Sequence, residues 1–220
     1  MEHVNSSRRA LLSYVIRQLN TFFPDEREVA ASAIDRNLDE TLARVEHCIN
    51  SVKAWRSGQF DYLHSSQYAI FLYYLSNTIW RNESDRHICT KIFLLNKALN
   101  GIDCFYELEL PRVFFIGHSV GIVLAKAIYG NFLVLYQNST VGKNHGAAPV
   151  LGDGVVMYPN TAIIGSANIG SGSVISQGVS VINRDTPGNC MVFGGADGEL
   201  IFKPPSRDIL ADIFRSSSST

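Results

Sequence analysis

The sequence predicts an α+β fold in which an α-helical domain is followed by a parallel β-helix built from hexapeptide repeats. Two observations lead to this prediction. Apolar residues recur at helical spacing before Gly101, and at intervals of six after it. We expect the α-helical domain at 1–101, the β-helix at 102–195 and a short C-terminal tail at 196–220 whose end is disordered.

The first hundred residues contain the patterns of several helices. One run opens at Pro24 with acids in its first turn, as a helix N-terminus does. Its apolar residues follow three to five apart: Val29, Ala33, Leu38, Leu42, Val45, Ile49 and Val52. Residues 65–80 are apolar nearly all round, which indicates a helix buried on several sides. The segment 84–101 starts with a Ser or Asp cap and ends at Asn100-Gly101, a typical left-handed helix end.

A six-residue period marks the second half. One tract has its apolar positions at Leu151, Met157, Ile163, Ile169, Ile175 and Val181. An upstream tract has them at Cys104, Leu110, Ile116, Ile122, Ile128 and Val134. Such a period fits a three-sided coil of about 18 residues whose first hexapeptide position points inward. The two tracts are out of phase, and the break at 140–150 predicts a loop leaving the stack. The alternative is a sandwich of short strands.

Composition argues against several classes of function. The formal net charge is −1 and no basic cluster is present, so nucleic acid is not an expected partner. No apolar window is long enough to span a membrane, and the N-terminus is a poor signal peptide. Four scattered cysteines without a C-x-x-C pair favour a reducing, cytoplasmic location over a disulfide framework.

Four stretches carry a resemblance to a known family. They are "GIDCFYELELPRVFFIGHSVGIVL" (101–124), "LYQNSTVGK" (135–143), "PVLGDGVVMYPNTAIIGSANIGSGSVISQGVSVI" (149–182) and "DTPGNCMVFGG" (185–195). Together they resemble the serine acetyltransferases, hexapeptide-repeat acyltransferases with an N-terminal helical domain. The resemblance implies a left-handed β-helix. It also implies a homotrimer with active sites between subunits, often doubled to a hexamer through the helical domains.

The resemblance also implies a reaction, the transfer of acetyl from acetyl-CoA to L-serine, which gives O-acetylserine for cysteine biosynthesis. His118 matches the family's general base, and Asp103, fifteen residues earlier, matches the carboxylate that orients it. A serine hydroxyl needs a base near its proton, and histidine has a pKa suited to neutral pH. Glu107 and Glu109 are the reserve carboxylates, and Asp103 could also be only a helix cap.

The positions that match the family's CoA groove are Gly142, Pro159 and Gln177. Backbone N–H groups near Gly142 are candidates for holding the oxyanion of the reacting thioester. The basic residues near the lower coils, which could meet phosphates or simply be solvated, are Lys143, Arg184 and Lys203. The reaction requires no metal.

The sequence departs from the family where the amino acid substrate binds. Gly117 stands where the family has an aspartate, and Ala147 and Ala148 stand where it has an Arg-His pair. His145, three residues before that pair, is the candidate replacement in substrate binding. The chain ends in "SSSST" rather than in the family's isoleucine, so a complex with cysteine synthase is not expected.

Three other functions remain open. Gly117 and the alanine pair favour acetyl transfer to a sugar or another small alcohol in polysaccharide modification. A zinc lyase needs three histidines around an open metal position, and the second half contains only His118 and His145. A non-catalytic scaffold would keep the coils without the chemistry, which an intact Asp103 and His118 argue against.

Overall fold

The computed structural model describes residues 1–4 and 6–216. Its helices are α1 Arg8–Phe22, α2 Ala31–Ser51, α3 Ser65–Glu83, α4 Arg86–Asn100 and α5 Ile209–Ile213. Its strands are β1 Glu2–His3, β2 Gln59–Phe60, β3 Asp103–Cys104, β4 Phe114–Ile116, β5 Val123–Leu124, β6 Ile128–Tyr129, β7 Leu133–Leu135, β8 Thr140–Gly142, β9 Val150–Leu151, β10 Val156–Met157, β11 Ala162–Ile164, β12 Asn168–Ile169, β13 Val174–Ile175, β14 Ser180–Ile182, β15 Met191–Gly194 and β16 Leu200–Lys203. In the part of the chain so described, no helix is both long and apolar enough to cross a membrane.

The ends of α4 lie where the sequence predicts them. The Asp85 carboxylate accepts a hydrogen bond from the Ile88 N–H at 3.1 Å and so caps the first turn. At the other end Gly101 has a φ of +65°, and its N–H donates to the Lys97 carbonyl at 3.0 Å.

The prediction that a helix opens at Pro24 is wrong, because α2 begins only at Ala31. Contacts from neighbouring helices hold the intervening segment in a non-helical path. The buried Lys91 Nζ binds the Asp25 carboxylate at 2.7 Å and the Arg27 carbonyl at 2.8 Å. These tertiary contacts override the local helix signal of the proline and the acids.

The second half coils into three parallel sheets. Face 1 contains β4, β7, β10, β13 and β15, face 2 contains β3, β5, β8, β11 and β14, and face 3 contains β6, β9 and β12. Among the strands of the described ranges, β16 alone runs antiparallel, against β15. In the regular part each residue pairs with the one 18 positions on, as Val156 does with Val174. The prediction of helices followed by a parallel β-helix is confirmed.

The interior of the coil follows the downstream tract. The predicted inward positions from Leu151 to Val181 are at most 3% exposed. A second buried row lies four residues after the first five of them: Val155, Thr161, Ala167, Ser173 and Val179. Small and β-branched side chains occupy this second row, as the space inside each corner requires.

The upstream phase holds at Ile122, which is fully buried, and is wrong after it. Ile128, predicted to point inward, is 63% exposed, and Tyr129 takes the inward place opposite Leu151. Ile116 pairs with Leu135, whereas the next inward residue that lies in a strand is Leu124, eight positions later. The irregular corner at 117–122 holds two more residues than a hexapeptide allows, so a count of six does not carry across it.

The predicted loop is present but shorter than 140–150, because Thr140–Gly142 and Val150–Leu151 are strands. The loop at 143–149 is closed by Asn144 and Ala147, which exchange backbone hydrogen bonds of 3.0 Å. His145 at its tip has a φ of +45°.

The C-terminal segment joins the two halves of the molecule. The Arg215 guanidinium donates to the carbonyls of Asn50, Val52 and Trp55 at 2.7, 2.6 and 2.6 Å. Phe214 packs edge-on against Phe132 at the start of face 1, with ring centroids 5.2 Å apart. This segment therefore packs at the edge of face 1, whereas on faces 2 and 3 the described residues leave Val123, Ile128, Val150 and Ile182 exposed. The predicted disordered end, 217–220, lies outside the described residues.

Candidate active site

His118 lies at the corner between face 1 and face 2, two residues after β4 ends, and its side chain is exposed. Two hydrogen bonds fix this corner to the end of α4. The Ser119 Oγ donates to the Asn100 carbonyl at 2.7 Å, and the Gly121 N–H donates to the Gly101 carbonyl at 2.9 Å. The exposed position agrees with the prediction that His118 stands outside the apolar stack.

Asp103 borders the same corner on the adjacent coil. Its N–H donates to the Ile122 carbonyl at 2.8 Å, and it pairs with Val123 across the sheet. Its carboxylate, however, binds Lys97 Nζ at 2.6 Å. Among the described residues His118 makes no hydrogen bond, to Asp103 or to any other group. The backbone thus places the two residues on adjacent coils at the same corner, while the Asp103 carboxylate is paired with Lys97.

The Lys97–Asp103 ion pair is only partly buried, with side chains 51% and 33% exposed. Pairs of this kind contribute about 0–1 kcal/mol to stability because water screens them. Exchange of Lys97 for another partner of Asp103 therefore costs little. Of the reserve carboxylates, Glu107 approaches Lys126 at 3.9 Å, and Glu109 lines a separate cavity in the helical half.

Two of the three predicted CoA positions lie in line with His118. Ile116 pairs with Leu135, which pairs with Met157, which pairs with Ile175. Two residues after each of them, along one edge, come His118, Gln137, Pro159 and Gln177. We refer to these four residues as the His118 edge. At about 4.8 Å per coil, Gln177 stands roughly 14 Å from His118 along this edge.

Gln137 is a candidate that the sequence analysis missed. Its Oε1 is buried and accepts no hydrogen bond within the described part of the chain. A buried acceptor left without a donor costs about 1–3 kcal/mol, so this atom favours a ligand or a water beside His118. The register of the coil, once known, identifies this residue.

The third predicted CoA position, Gly142, lies elsewhere. It ends β8 on face 2, where it pairs with Ile164, and the loop with His145 follows it toward face 3. Within one chain the width of face 2, about 10 Å for three residues, separates both from the His118 edge. Of the basic residues proposed for phosphates, Arg184 donates to the Gly198 carbonyl at 2.8 Å and Lys203 stands 5.5 Å from the centre of the Phe193 ring.

Gly117 has a steric explanation. A Cβ at this position would stand 2.6 Å from both Cδ1 and Cε1 of Tyr136, so no side chain fits while that ring is in place. Tyr136 in turn stacks on Tyr158, with centroids 5.6 Å apart and an interplanar angle of 19°. Burial raises the pKa of Tyr136, which keeps the phenol protonated at neutral pH. An aromatic pair therefore stands against Gly117, the position where the resemblance to the serine acetyltransferases implies an aspartate.

The metal alternative gains no support from the geometry. No group of three histidine, cysteine, aspartate or glutamate side chains in the described ranges is arranged to hold an ion.

Comparisons with known proteins agree with the resemblance. No family model matches the chain. A serine acetyltransferase of Bacillus licheniformis is 25% identical over 146 residues, which cover 63% of this chain and 65% of the relative. One of Bacillus subtilis is 26% identical over 139 residues, covering 60% and 62%. The match thus spans less than two thirds of the length of these curated relatives.

Solved structures agree in fold. The serine acetyltransferase of Neisseria gonorrhoeae superposes with a TM-score of 0.71 at 18% identity, covering 94% of this chain and 83% of that one. At such identity the likeness shows the fold alone. The fold class predicted from the sequence is therefore confirmed, and so is the resemblance of this chain to the serine acetyltransferases.

Proposed function

We propose that the protein is an acetyl-CoA-dependent O-acetyltransferase whose acceptor is L-serine, with His118 as general base and Asp103 as the residue that orients it. The observation that carries the proposal is the corner itself. An exposed histidine, free of hydrogen bonds within the described residues, stands one coil from a carboxylate on a β-helix like that of the serine acetyltransferases.

In this reaction the serine oxygen attacks the thioester carbonyl while one imidazole nitrogen of His118 takes the hydroxyl proton. The tetrahedral intermediate collapses as the C–S bond breaks, and the imidazolium returns the proton to the departing CoA sulfur. A carboxylate at the other ring nitrogen fixes the tautomer and stabilises the imidazolium. Asp103 would assume this role by leaving Lys97, an exchange that the weak, half-exposed ion pair permits.

The His118 edge is the proposed path of CoA. Pro159 and Gln177 lie on it below His118, so an extended ligand could follow successive coils toward the C-terminal end. The unpaired Oε1 of Gln137 would accept a hydrogen bond from the acceptor or from CoA near the reacting carbonyl. No metal takes part in this scheme.

A homotrimer would complete the site. Apolar side chains are exposed on and beside faces 2 and 3: Val120, Val123, Ile128, Val150 and Ile182. Packing these against other copies would bury them. It would also let Gly142 and His145 of one subunit approach the His118 edge of the next, which a single chain does not achieve. The four cysteines are free and buried, in keeping with a cytoplasmic enzyme.

A second acceptor class has its own supporting observation. The stacked rings of Tyr136 and Tyr158 replace the charged acceptor-binding group expected beside the base. A flat aromatic surface suits the apolar face of a sugar ring better than the charged groups of an amino acid. Transfer of acetyl to a sugar hydroxyl is therefore the alternative.

The deciding experiment measures CoA release from acetyl-CoA with L-serine and, separately, with a panel of neutral and N-acetylated sugars. The proposal expects release with L-serine and its loss in His118→Ala. Activity with a sugar but none with L-serine would show that the acceptor is a sugar rather than L-serine. It would not contradict the proposed roles of His118 and Asp103.

A further inference from the structure

A cavity of about 500 Å³ lies in the helical half between α2, α3 and the segment 109–112. It shares no lining residue with the His118 edge. Its walls carry three arginines, one histidine and two glutamates. These residues are Arg44, Arg81, Arg112, His47, Glu40 and Glu109. Pockets of this size hold small-molecule ligands.

Two of the arginines have no partner for their guanidinium groups among the residues that the structure describes. Within the described residues the guanidinium groups of Arg81 and Arg112 neither donate a hydrogen bond nor pair with a carboxylate. Glu40 accepts a hydrogen bond from the neutral Asn82 side-chain amide at 2.8 Å and keeps its charge, so three guanidinium groups face two carboxylates. The cavity therefore presents more positive charge than its own carboxylates neutralise.

The third arginine is held in place. Arg44 Nη1 donates to the Thr78 hydroxyl at 2.8 Å, and its guanidinium carbon lies 4.4 Å from the centre of the Tyr74 ring. Burial lowers the pKa of Arg44, and the charge of Arg81 lowers it further. Glu109 raises the pKa of Arg44 only from a distance, since no carboxylate in the described part of the chain forms an ion pair with Arg44. A half-buried cation beside another cation is stabilised when an anion binds between them.

The segment that carries Arg112 is fixed by the same tyrosine. The Tyr74 hydroxyl donates to the carbonyls of Pro111 and Arg112 at 3.3 and 3.2 Å. His47 lies one helical turn after Arg44, and burial together with the charge of Arg112 lowers its pKa. Cations from α2, α3 and this segment thus converge on a preformed space.

The geometry points to a binding site for a small polyanion whose charged groups are phosphoryl or carboxylate, held by Arg44, Arg81 and Arg112. Planar guanidinium groups bind both kinds of oxyanion in pairs of parallel hydrogen bonds. The proposal does not depend on the acetyl-transfer function, since the cavity and the His118 edge are separate.

The test is calorimetric titration of the full chain with inorganic pyrophosphate and, in a second arm, with citrate, at constant ionic strength. Saturable binding of either probe is expected, and Arg81→Gln or Arg112→Gln should weaken it about tenfold or more, as loss of a charge-assisted hydrogen bond does. Arg56→Gln removes an exposed arginine outside the cavity and should leave the affinity unchanged.

Neither Arg81→Gln nor Arg112→Gln removes a side-chain hydrogen bond or ion pair found among the described residues. Both variants should therefore unfold at the wild-type temperature without ligand. The proposal is overturned if no saturable binding of pyrophosphate or citrate is found. It is equally overturned if Arg81→Gln, Arg112→Gln and Arg56→Gln bind the probe alike, which is what non-specific screening would give.

Discussion

Substitution of Gly117 tests the packing beside His118. In Gly117→Ala the new Cβ would stand 2.6 Å from two carbons of the Tyr136 ring, well inside contact distance. Gly117 is not among the glycines with positive φ, so the cost is steric rather than conformational. Overpacking of this kind costs about 1–3 kcal/mol. For a chain of this size that lowers the melting temperature by roughly 2–12 °C.

A double-mutant cycle isolates the contact. Tyr136→Ala removes a half-buried ring and should cost about 2–4 kcal/mol by itself. The added methyl of Gly117→Ala then has room, so the double variant should be about as stable as Tyr136→Ala, with a coupling energy of about 1–3 kcal/mol.

Thermal and urea unfolding measure these free energies. Gly194→Ala is the matched control, because nothing lies within 4 Å of its added Cβ. It should change stability by less than about 0.5 kcal/mol in either direction. Additive effects of the two substitutions, or a Gly117→Ala protein as stable as the wild type, would refute the claim that Tyr136 excludes a side chain at 117.

Three further outcomes follow from the structure. Lys97→Met should change the free energy of unfolding by less than about 1 kcal/mol, because the ion pair is weak. It should leave the rate of acetyl transfer at or above that of the wild type, because it frees the Asp103 carboxylate. A loss of rate as large as that of Asp103→Asn would contradict this. Asp103→Asn should lower kcat for acetyl transfer by about tenfold or more with little change in melting temperature; an unchanged pH–rate profile would assign the orienting role to another group. Arg215→Met removes three hydrogen bonds to carbonyls and should destabilise the fold by about 2–4 kcal/mol in urea unfolding. Arg207→Met, whose 3.5 Å pair with Asp212 is exposed, should be nearly neutral, and equal effects of the two would argue against the C-terminal segment as a tie between the halves.

The fold was predictable wherever one local rule repeats. From Leu151 to Val181 each hexapeptide obeys the same spacing, so the inward row follows from counting. At 117–122 the corner is lengthened by contacts with the end of α4, and these long-range contacts have no local signature. The prediction that Ile128 points inward fails for that reason. The predicted start of α2 is wrong for a similar reason, because Lys91 in α4 binds the Asp25 carboxylate and the Arg27 carbonyl.

The features of the site also differ in whether local spacing predicts them. The corner position of His118 and the neighbouring coil of Asp103 follow from register and could be predicted. The ion pair of Asp103 with Lys97 depends on how α4 ends against the first coil, and the ring of Tyr136 over Gly117 is a contact between coils. Neither is encoded in local spacing. The arginine cavity was missed because its members lie far apart in sequence.

The most direct test of the central claim measures CoA release from acetyl-CoA and L-serine by the wild type and by His118→Ala. Loss of the general base should lower kcat by about a hundredfold to ten-thousandfold. His87→Ala, an exposed histidine of the helical half, should retain the wild-type rate. A His118→Ala protein that transfers acetyl to serine as fast as the wild type would contradict the assignment of His118 as the base.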